Sequence, residues 1–379
     1  GASPSARREN GAAREAVRAC PADRVSTPSD AAEVVAAMAR GRGFALAGAG
    51  LIGPASREES LRSWVADGKH GDMAFMADQL GDRLAPERVL PGARSVLMVG
   101  DLYAARDDWQ ADPDHDRRGR IGRYARGRDY HHVIKRRLHD LADALRERFP
   151  GEEFRTFTDS APVLERDHAV AVGLGWVGKH TRVIHPKLGS WMVLGGFFTT
   201  LVLEQPPGQA IQTDACGTCT RCIDACPTDA ITPYSVDATK CISYLTIERR
   251  GPIDERHWSG MGDWIAGCDV CQEVCPHNSR RATGVLARDQ YTPRRIGFDL
   301  LDLLCWDEAT RRARFAGSAL KRITLPMMKR NALIAAGNAL ERAHDAVLLG
   351  AVRDLAWSAG EDELVRVTAR RVLARLGTE

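Results

Sequence analysis

The sequence predicts an α+β protein, and three observations along its 379 residues support that class. Helix-like and strand-like segments alternate through the first half of the chain. Eight of the ten cysteines lie between residues 216 and 275. Three amphipathic segments then follow one another towards the C-terminus. We therefore expect four parts, which are a disordered tail over residues 1–28, a catalytic domain over 29–205, a cysteine-rich domain over 206–285 and a helical region over 286–379.

Composition places the chain among globular proteins that do not enter a membrane. Hydrophobic residues make up 44% and charged residues 27%, and no apolar run reaches the ~18 residues that a membrane helix needs. The first twenty residues lack the apolar core of a secretory signal; a transit peptide is an alternative to a disordered tail. Ten cysteines without an export signal favour metal ligation in a reducing, cytoplasmic compartment over disulfides.

Hydrophobic spacing and turn signals locate the elements of the first domain. After the Pro91-Gly92 turn, "RSVLMVG" over 94–100 predicts a buried strand. The segment "WMVLGGFFTTLVL" over 191–203 predicts two buried strands, and "EQPPGQ" over 204–209 predicts a linker. The other expected elements are helices over 31–43, 128–149 and 161–175 and a strand over 154–159.

A glycine-rich segment, "GLGWVG" over 173–178, matches the dinucleotide-binding pattern G-x-G-x-x-G. That pattern should open a helix and be followed by an acidic residue about 20 positions later. Here it closes a helical stretch, and the next acidic residue is Glu204. We therefore expect a tight turn that approaches some other flat ligand closely.

The helical region ends in "EDELVRVTARRVLARL", in which one face carries Val365, Ala369, Val372, Leu373 and Leu376. Gly377 follows directly and suits a helix C-cap. Short helices stacked in this way predict a HEAT-like end, and a plain helical cap is the alternative.

The cysteine-rich domain opens with "CGTCTRCIDACP", which spells C-x2-C-x2-C-x3-C-P over 216–227. In two-cluster ferredoxins the first three cysteines of this run ligate one iron–sulfur cluster and the fourth ligates the other. A partial echo, "CDVCQEVCP", follows at 268–276. Zinc is the rival ligand for C-x2-C pairs, but the proline after the fourth cysteine and the echo favour two [4Fe–4S] clusters.

Counting thiolates completes both ligand sets. If the last cysteine of each motif crosses over, the first cluster takes Cys216, Cys219, Cys222 and Cys275, and the second takes Cys226, Cys268 and Cys271. A symmetric ferredoxin would supply the missing ligand at Ile265. Cys241 lies between the motifs and is the natural replacement, because Cys20 lies in the tail and Cys305 suits a buried structural thiol.

Two basic regions suggest a nucleic-acid partner. "RRGRIGRYARGRDYHH" over 117–132 interleaves arginines with Tyr124 and Tyr130, a composition that suits phosphates and stacked bases. A solvated basic face is the alternative. We expect electrostatic contacts with RNA from this region, extended from Arg117 to Arg137. The second region comprises Arg311, Arg312, Arg314, Lys321, Arg322, Lys329 and Arg330.

From about residue 31 to the C-terminus the chain resembles the epoxyqueuosine reductase family. The resemblance rests on "WVADGKHGDMAFM", "RYARGRDYHHVIKRRL", "TDSAPVLERDHAVAVGLGWVGKH", the cysteine arrangement and "KRNALIAAGN". It implies a nitroreductase-like domain that holds cobalamin, a ferredoxin-like domain that supplies electrons and a HEAT-like segment that helps to bind tRNA. The implied reaction reduces epoxyqueuosine at the tRNA wobble position to queuosine.

The resemblance also assigns residues. It makes Asp159 of "TDSAPVLE" the general acid at the cobalamin, with cobalamin contacts at Asp159 itself and at Arg83, Tyr124, His131, Trp176 and Lys179. An aspartate that acts as an acid near neutral pH needs a raised pKa. Sequence alone allows a second interpretation, in which Asp159 is the N-cap of a helix over "APVLE".

Two other functions fit parts of the sequence. A corrinoid reductase of a small molecule, similar to the reductive dehalogenases, would share the cofactors. A non-catalytic two-cluster electron carrier would share the cysteines, although such a carrier needs far fewer residues. For the reductase we expect a monomer that uses an external electron donor and tRNA as substrate.

Overall fold

The computed structural model describes residues 25–103, 109, 117–278 and 289–378. The expected tail up to residue 24, with Cys20, and the connection over 279–288 lie outside the described residues. The elements of the first half are α1 (Pro28–Gly41), β1 (Leu46–Leu51), α2 (Glu58–Ala66), α3 (Phe75–Asp78), α4 (Leu80–Leu84), α5 (Pro86–Val89), β2 (Ser95–Leu102), β3 (Arg118–Ile121), α6 (Tyr130–Arg148), β4 (Phe154–Phe157), α7 (Glu165–Ala171), β5 (Trp176–Val177), β6 (Val183–Ile184) and β7 (Met192–Thr199).

The second half is mainly helical. Its elements are α8 (Arg221–Asp224), β8 (Ile231–Thr232), β9 (Ser235–Val236), α9 (Ile242–Ile247), α10 (Trp258–Met261), β10 (Trp264–Ala266), α11 (Val270–Glu273), β11 (Gly297–Asp299), α12 (Leu300–Leu304), α13 (Glu308–Arg314), α14 (Leu325–Arg342), α15 (Ala346–Trp357) and α16 (Glu363–Arg375). In the described part of the chain, no helix is both long and apolar enough to cross a bilayer.

A four-stranded antiparallel sheet, in the order β1-β2-β7-β4, forms the centre of the first domain. Strand β2 is buried along its whole length, as a central strand covered on both faces should be. Helices α1 and α6 cover one face of the sheet, and α7 covers the other. The α+β class is therefore confirmed, and the predicted helix over 128–149 is α6.

The apolar segment over 191–203 forms one strand rather than the predicted two. Strand β7 pairs with β2 until Thr199 lies opposite Ser95. The chain then leaves the sheet, and the backbone N–H of Leu203 donates to the Ser95 side chain at 2.8 Å. Leu203 is still fully buried, so its apolar character reports burial without a strand.

The glycines of the "GLGWVG" segment allow the chain to pack against itself. A Cβ on Gly175 would lie 2.2 Å from the carbonyl oxygen of Ile184, and one on Gly173 would lie 2.6 Å from that of Ala210. Gly173 also has a positive φ of 77°. The predicted tight turn is present, and its glycines approach the protein backbone closely.

A second, three-stranded sheet ties the two halves of the chain together. Strand β3 lies between β10, which is parallel to it, and β11, which is antiparallel. The core beneath this sheet runs from Ile121 through the cysteine-rich segment to the C-terminal helices. The structure therefore gives the cysteine-rich and helical regions one shared core.

The C-terminal helices pack as their sequence patterns predict. Helix α16 buries Val365, Ala369, Val372 and Leu373 on one face. Gly377 follows the helix with a φ of 63°, so the predicted C-cap glycine is confirmed. Helix α14, at the centre of this region, is buried from Met327 to Ala339.

Candidate active site and cysteine groups

Asp159 lies in a sharp turn that directly follows strand β4. Its φ is 51°, in the left-handed region, and the backbone N–H of Ser160 donates to the carbonyl of Thr158 across it. This i to i+2 bond defines a γ-turn, and γ-turns with positive φ are rare and strained. Helix α7 begins only at Glu165, with Leu164 as its N-cap. The alternative in which Asp159 is a helix N-cap is therefore wrong.

The Asp159 carboxylate is held by two side chains from the start of helix α6. The Tyr130 hydroxyl donates to Oδ2 at 2.7 Å, and His131 Nε2 lies 3.1 Å from the same oxygen. On its other side, His131 Nδ1 lies 2.8 Å from Asp129 Oδ1. The three residues Asp129, His131 and Asp159 thus form a continuous hydrogen-bonded chain.

The Asp159 side chain is 62% exposed, although protein surrounds the residue at longer range. From this combination we infer that Asp159 lies on a concave part of the surface. Arg182 is likewise exposed and yet surrounded by protein at longer range, and its charge acts on Asp159. We call the space bordered by Arg83, Tyr124, His131, Asp159 and Arg182 the Asp159 concavity.

The pKa of Asp159 is lowered and not raised as the sequence interpretation required. Burial alone would raise it, but the hydrogen bonds from His131 and Tyr130 and the charge of His131 lower it to about 2. For His131 the balance is reversed. Burial would lower its pKa, yet the bonds to Asp129 and Asp159 raise it to about 9. At neutral pH the proton of this chain is therefore carried by His131.

A second acid, Glu165, touches the same turn. Its carboxyl accepts the backbone N–H of Asp159. Burial, followed by the neighbouring charge of Asp159, raises the pKa of Glu165 to about 8. Sequence reasoning missed this residue, although it ends the quoted motif "TDSAPVLE". A separation of six positions along the chain gave no signal that the Glu165 carboxyl meets the Asp159 backbone.

Four of the predicted cobalamin contacts converge at the Asp159 concavity and two do not. Arg83 acts electrostatically on Asp159 and Glu165, and within the described residues its buried Nε has no hydrogen-bond partner. The Tyr124 ring packs edge-to-face on Tyr130, with ring centroids 6.2 Å apart. His131 and Asp159 itself complete the converging set.

Trp176 and Lys179 are occupied by the cysteine-rich loop. Trp176 is only 4% exposed and packs with Cys216 and Cys275. The Lys179 ammonium donates to the carbonyls of Gly217 at 2.7 Å and Cys219 at 3.1 Å. Both side chains therefore help to fix a loop that carries cysteine ligands. Their assignment as cobalamin contacts stays a prediction.

The eight predicted cysteine ligands assemble into two groups of four. Burial raises the pKa of Cys222 to about 11, and its charged neighbours are Cys275, Cys216 and Cys219. These four are the first cysteine group. Burial also raises the pKa of Cys271, to about 12, and this thiol neighbours Cys241 and also Cys222 of the first group.

The second cysteine group contains Cys241, which the count of thiolates had identified as the missing ligand. Cys268 lies beside Cys271 and Cys241, and Cys241 lies beside Cys226. The membership of both groups is the one predicted by crossing the last cysteine of each motif. Cys305, by contrast, belongs to neither group and is exposed, so its expected burial is wrong.

The donor chemistry of both groups fits [4Fe–4S] clusters. Four thiolates per group and no other ligand type match the requirement of such clusters. Among the described residues, no three His, Cys, Asp or Glu side chains converge on a single-ion site. A cubane binds its thiolates at four separate corners and does not require that convergence. The open, polar Asp159 concavity, with its unsatisfied Arg83 nitrogen, likewise fits a large amide-bearing cofactor such as cobalamin.

Part of the first basic region is structural. Arg126 is 1% exposed and donates through Nε to the carbonyl of Ile121 at 2.9 Å. Arg137 forms a buried ion pair with Asp101. Arg120 and Arg123 both pair with Glu273. These arginines join the first domain to the cysteine-rich segment or stabilise its core.

The second basic region also contains buried cations. Arg330 has no exposed surface and donates to the carbonyls of Leu245, Arg249 and Gly251. Lys329 is buried in an ion pair with Glu361 at 2.6 Å. Side chains buried this deeply are not available to phosphates, so the expectation of RNA contact is wrong for Arg126, Arg137, Lys329 and Arg330.

Comparison with known proteins gives consistent matches. Residues 83–160 match the family model described as "Epoxyqueuosine reductase QueG, DUF1730", and residues 215–278 match the 4Fe-4S double cluster binding domain. An epoxyqueuosine reductase from Xanthomonas campestris pv. campestris is 42% identical over 320 residues, which cover 82% of this chain and 88% of the relative. One from Pseudomonas aeruginosa is 37% identical, with 84% and 89% coverage.

Solved structures agree with the sequence matches. A crystal structure of epoxyqueuosine reductase with a tRNA-Tyr epoxyqueuosine-modified tRNA stem loop superposes with a TM-score of 0.82. Sequence identity in that alignment is 25%, and it covers 93% of this chain and 91% of the other. The structure from Streptococcus thermophilus gives a TM-score of 0.73.

Proposed function

Because this chain belongs to the epoxyqueuosine reductase family, we propose that it reduces epoxyqueuosine in tRNA to queuosine. Its cofactors are two [4Fe–4S] clusters and cobalamin. The single observation that carries the mechanism is the chain of Asp129, His131 and Asp159, which opens into a concavity beside the second cysteine group. That arrangement offers a proton and an electron route to the same space.

The reaction needs two electrons and two protons. Both carbon–oxygen bonds of the epoxide break, a carbon–carbon double bond forms, and the oxygen leaves as water. Bound cobalamin supplies the reducing equivalents at an epoxide carbon. The protein residues must bind the nucleoside, bring electrons in and protonate the departing oxygen.

We infer that electrons from an external donor reach the first cysteine group and then the second. The two groups are neighbours, since Cys271 lies within electrostatic reach of Cys222. Arg182 lies within electrostatic reach of both the second group and Asp159, because its charge acts on Cys241, Cys271 and Asp159. The second group is therefore the proximal one in this proposal.

We infer that His131 stores the proton and that Asp159 delivers it. The His131 imidazolium is stabilised by Asp129 behind it and Asp159 in front of it. As the epoxide opens, the developing alkoxide is a far stronger base than a carboxylate, so a proton passes from His131 through Asp159 to that oxygen. Water at the exposed side of Asp159 supplies the second proton. This sequence keeps the catalytic role of Asp159 without a raised resting pKa.

The RNA chain needs a cationic path that leads to Asp159. A groove of about 420 Å³ borders the Asp159 turn on its other side, and its lining includes Arg88, Lys135 and Arg155. Only Arg88 has a carboxylate partner in the groove, Asp82 at 3.2 Å. We propose that this groove receives a backbone phosphate next to the modified nucleotide. We also propose that the protein acts as a monomer in the cytoplasm.

Anaerobic turnover tests the proposed function directly. Reconstituted protein with cobalamin, a chemical reductant and an epoxyqueuosine-bearing tRNA stem loop should yield queuosine on nucleoside analysis. The matched control is the same protein reconstituted with iron and sulfide but without cobalamin. If the cobalamin-loaded protein leaves the epoxide intact while its clusters are reduced, the proposal is wrong, and the chain acts as an electron carrier.

A further inference from the structure

The strained turn at Asp159 requires something to hold it. Two consecutive three-residue turns bring the chain from β4 to α7, one closed by Ser160 N–H on Thr158 and one by Val163 N–H on Ala161. The first places Asp159 at a positive φ, a conformation that non-glycine residues keep only when their surroundings enforce it. In this conformation of the turn, the carboxylate reaches Tyr130 and His131.

Glu165 provides the enforcing contact. Its carboxyl accepts the Asp159 backbone N–H, which the turn directs away from the sheet. Glu165 is itself held in place, because two other residues of helix α7 are fixed by contacts with neighbouring elements. Asp167 pairs with Arg57, and the buried His168 ring packs edge-to-face on Phe198 at 5.2 Å. A rigid helix therefore holds a strained loop through one side chain.

We propose that Glu165 is a positioning residue for the reaction, and that its bond to the Asp159 amide keeps the Asp159 carboxylate aligned with His131 and with the substrate. This inference rests on the proposed function of Asp159. Glu165 does not touch the reacting atoms, so its role is exerted through the turn. Glu165 thus differs from His131 and Asp159, which carry the proton, because it fixes the backbone conformation of the turn.

The charges around Glu165 explain how its carboxyl can accept the Asp159 N–H although the Asp159 carboxylate lies nearby. Five groups act with it: Asp159 from the turn, His131 and Tyr130 from α6, Arg83 from α4, and Arg166 from its own helix. Burial and Asp159 raise the pKa of Glu165 to about 8, so near pH 7 the acid is largely neutral. A neutral carboxyl still accepts a hydrogen bond through its carbonyl oxygen. Glutamine should therefore replace it well.

Two substitutions separate the positioning role from a general structural role. Glu165→Gln keeps the acceptor, and Glu165→Leu keeps most of the volume without it. Turnover of the tRNA stem loop by the cobalamin-loaded protein should fall about 100-fold in kcat for Glu165→Leu, as expected for a displaced catalytic group. KM, iron and cobalamin content should stay at wild-type levels. Glu165→Gln should stay within about threefold of wild-type kcat at pH 7.

Hydrogen exchange gives a readout that does not depend on turnover. In the holoprotein, the Asp159 amide should exchange faster in Glu165→Leu than in wild type and remain protected in Glu165→Gln. Glu152→Leu is the matched control, because Glu152 is another partly buried carboxyl, which accepts from Thr200 at the far end of the sheet. It should change neither kcat nor exchange at Asp159.

The outcomes divide clearly. Wild-type kcat in Glu165→Leu, or unchanged exchange at Asp159, would overturn the inference. If Glu165→Leu does not fold, Glu165→Asp serves instead, since its shorter side chain keeps the carboxyl group but does not reach the amide, and wild-type kcat in that variant has the same meaning. Absence of turnover in the wild type would refute the proposed function, while the exchange data would still report on Glu165.

Discussion

Replacing Asp129 with Asn tests whether the His131 imidazolium is the proton store. Asp129 is 8% exposed, and its Oδ1 lies 2.8 Å from His131 Nδ1. It also caps helix α6 by accepting the His131 backbone N–H at 3.1 Å. Asparagine caps a helix about as well as aspartate, so the change removes a charge and leaves the fold and the cap in place.

The magnitude follows from how the His131 proton is held. Burial alone would lower the pKa of His131, yet two carboxylates raise it from 6.5 to about 9. Losing one of the two should lower that pKa by about one unit, which corresponds to about 1.4 kcal/mol. Because the pKa is raised on folding, the stabilisation is complete below pH 6.5 and is lost as pH rises through about 9. The variant should therefore be less stable by about 1.4 kcal/mol at pH 6 and much closer to wild type at pH 9.5.

The assay is the pH profile of single-turnover reduction of the tRNA stem loop. Activity requires the protonated imidazole, so the wild-type rate should fall as pH rises past about 9. In Asp129→Asn the same fall should come about one pH unit earlier, with the rate at pH 6 largely retained. Repeating the comparison in a Glu165→Gln background removes the other group that titrates nearby. An alkaline limb that stays in place in both backgrounds would refute the assignment of the proton to His131.

Three further predictions follow from the site. Asp159→Asn should keep fold, clusters and cobalamin but lose activity by roughly 10²–10⁴-fold; turnover within a few-fold of wild type would reject a catalytic role. Cys241→Ala should lose about half of the iron, as expected if it ligates one of two clusters, and Cys305→Ala should lose none; full iron in the first variant would contradict the ligand set. Combined Lys135→Ala and Arg155→Ala substitutions should weaken stem-loop binding and reduce the slope of log K against log salt by about one, since each neutralised phosphate contributes about 0.9, with cobalamin content unchanged. A slope equal to that of wild type would exclude the groove as a phosphate site.

The two cysteine groups could be predicted because ligand number is a matter of counting. Four cysteines in the first motif and three in its echo, with the last of each crossing over, left a single vacancy, and only Cys241 lay between the motifs. The structure brings these residues together without any adjustment to the count. Regular elements such as α6 and β2 were likewise accessible, because their apolar spacing is continuous over several turns or along a whole strand.

The Asp159 turn could not be predicted, since its local sequence favours a different structure. An aspartate followed by serine and, some positions later, by glutamate suits a helix start. Tertiary contacts from Tyr130, His131 and Glu165 override that preference and hold the γ-turn instead. Buried arginines escaped prediction for a related reason. A guanidinium that donates to backbone carbonyls, such as that of Arg330, has the same sequence signature as one that faces phosphate.

Strand β3 has a consequence for how this enzyme moves electrons. Because it is hydrogen-bonded on one edge to β10 and on the other to β11, the segment that leads into Tyr124 and α6 is stitched to the polypeptide that carries the second cysteine group. Backbone pairing therefore fixes the position of the second cysteine group relative to the segment that carries Tyr124 and His131. Strand partners so distant in sequence also form slowly. The three-stranded sheet should therefore form only after the whole chain has been synthesised. Removing the residues after 285 would take away β11 and expose an open edge of β3 beside the active site.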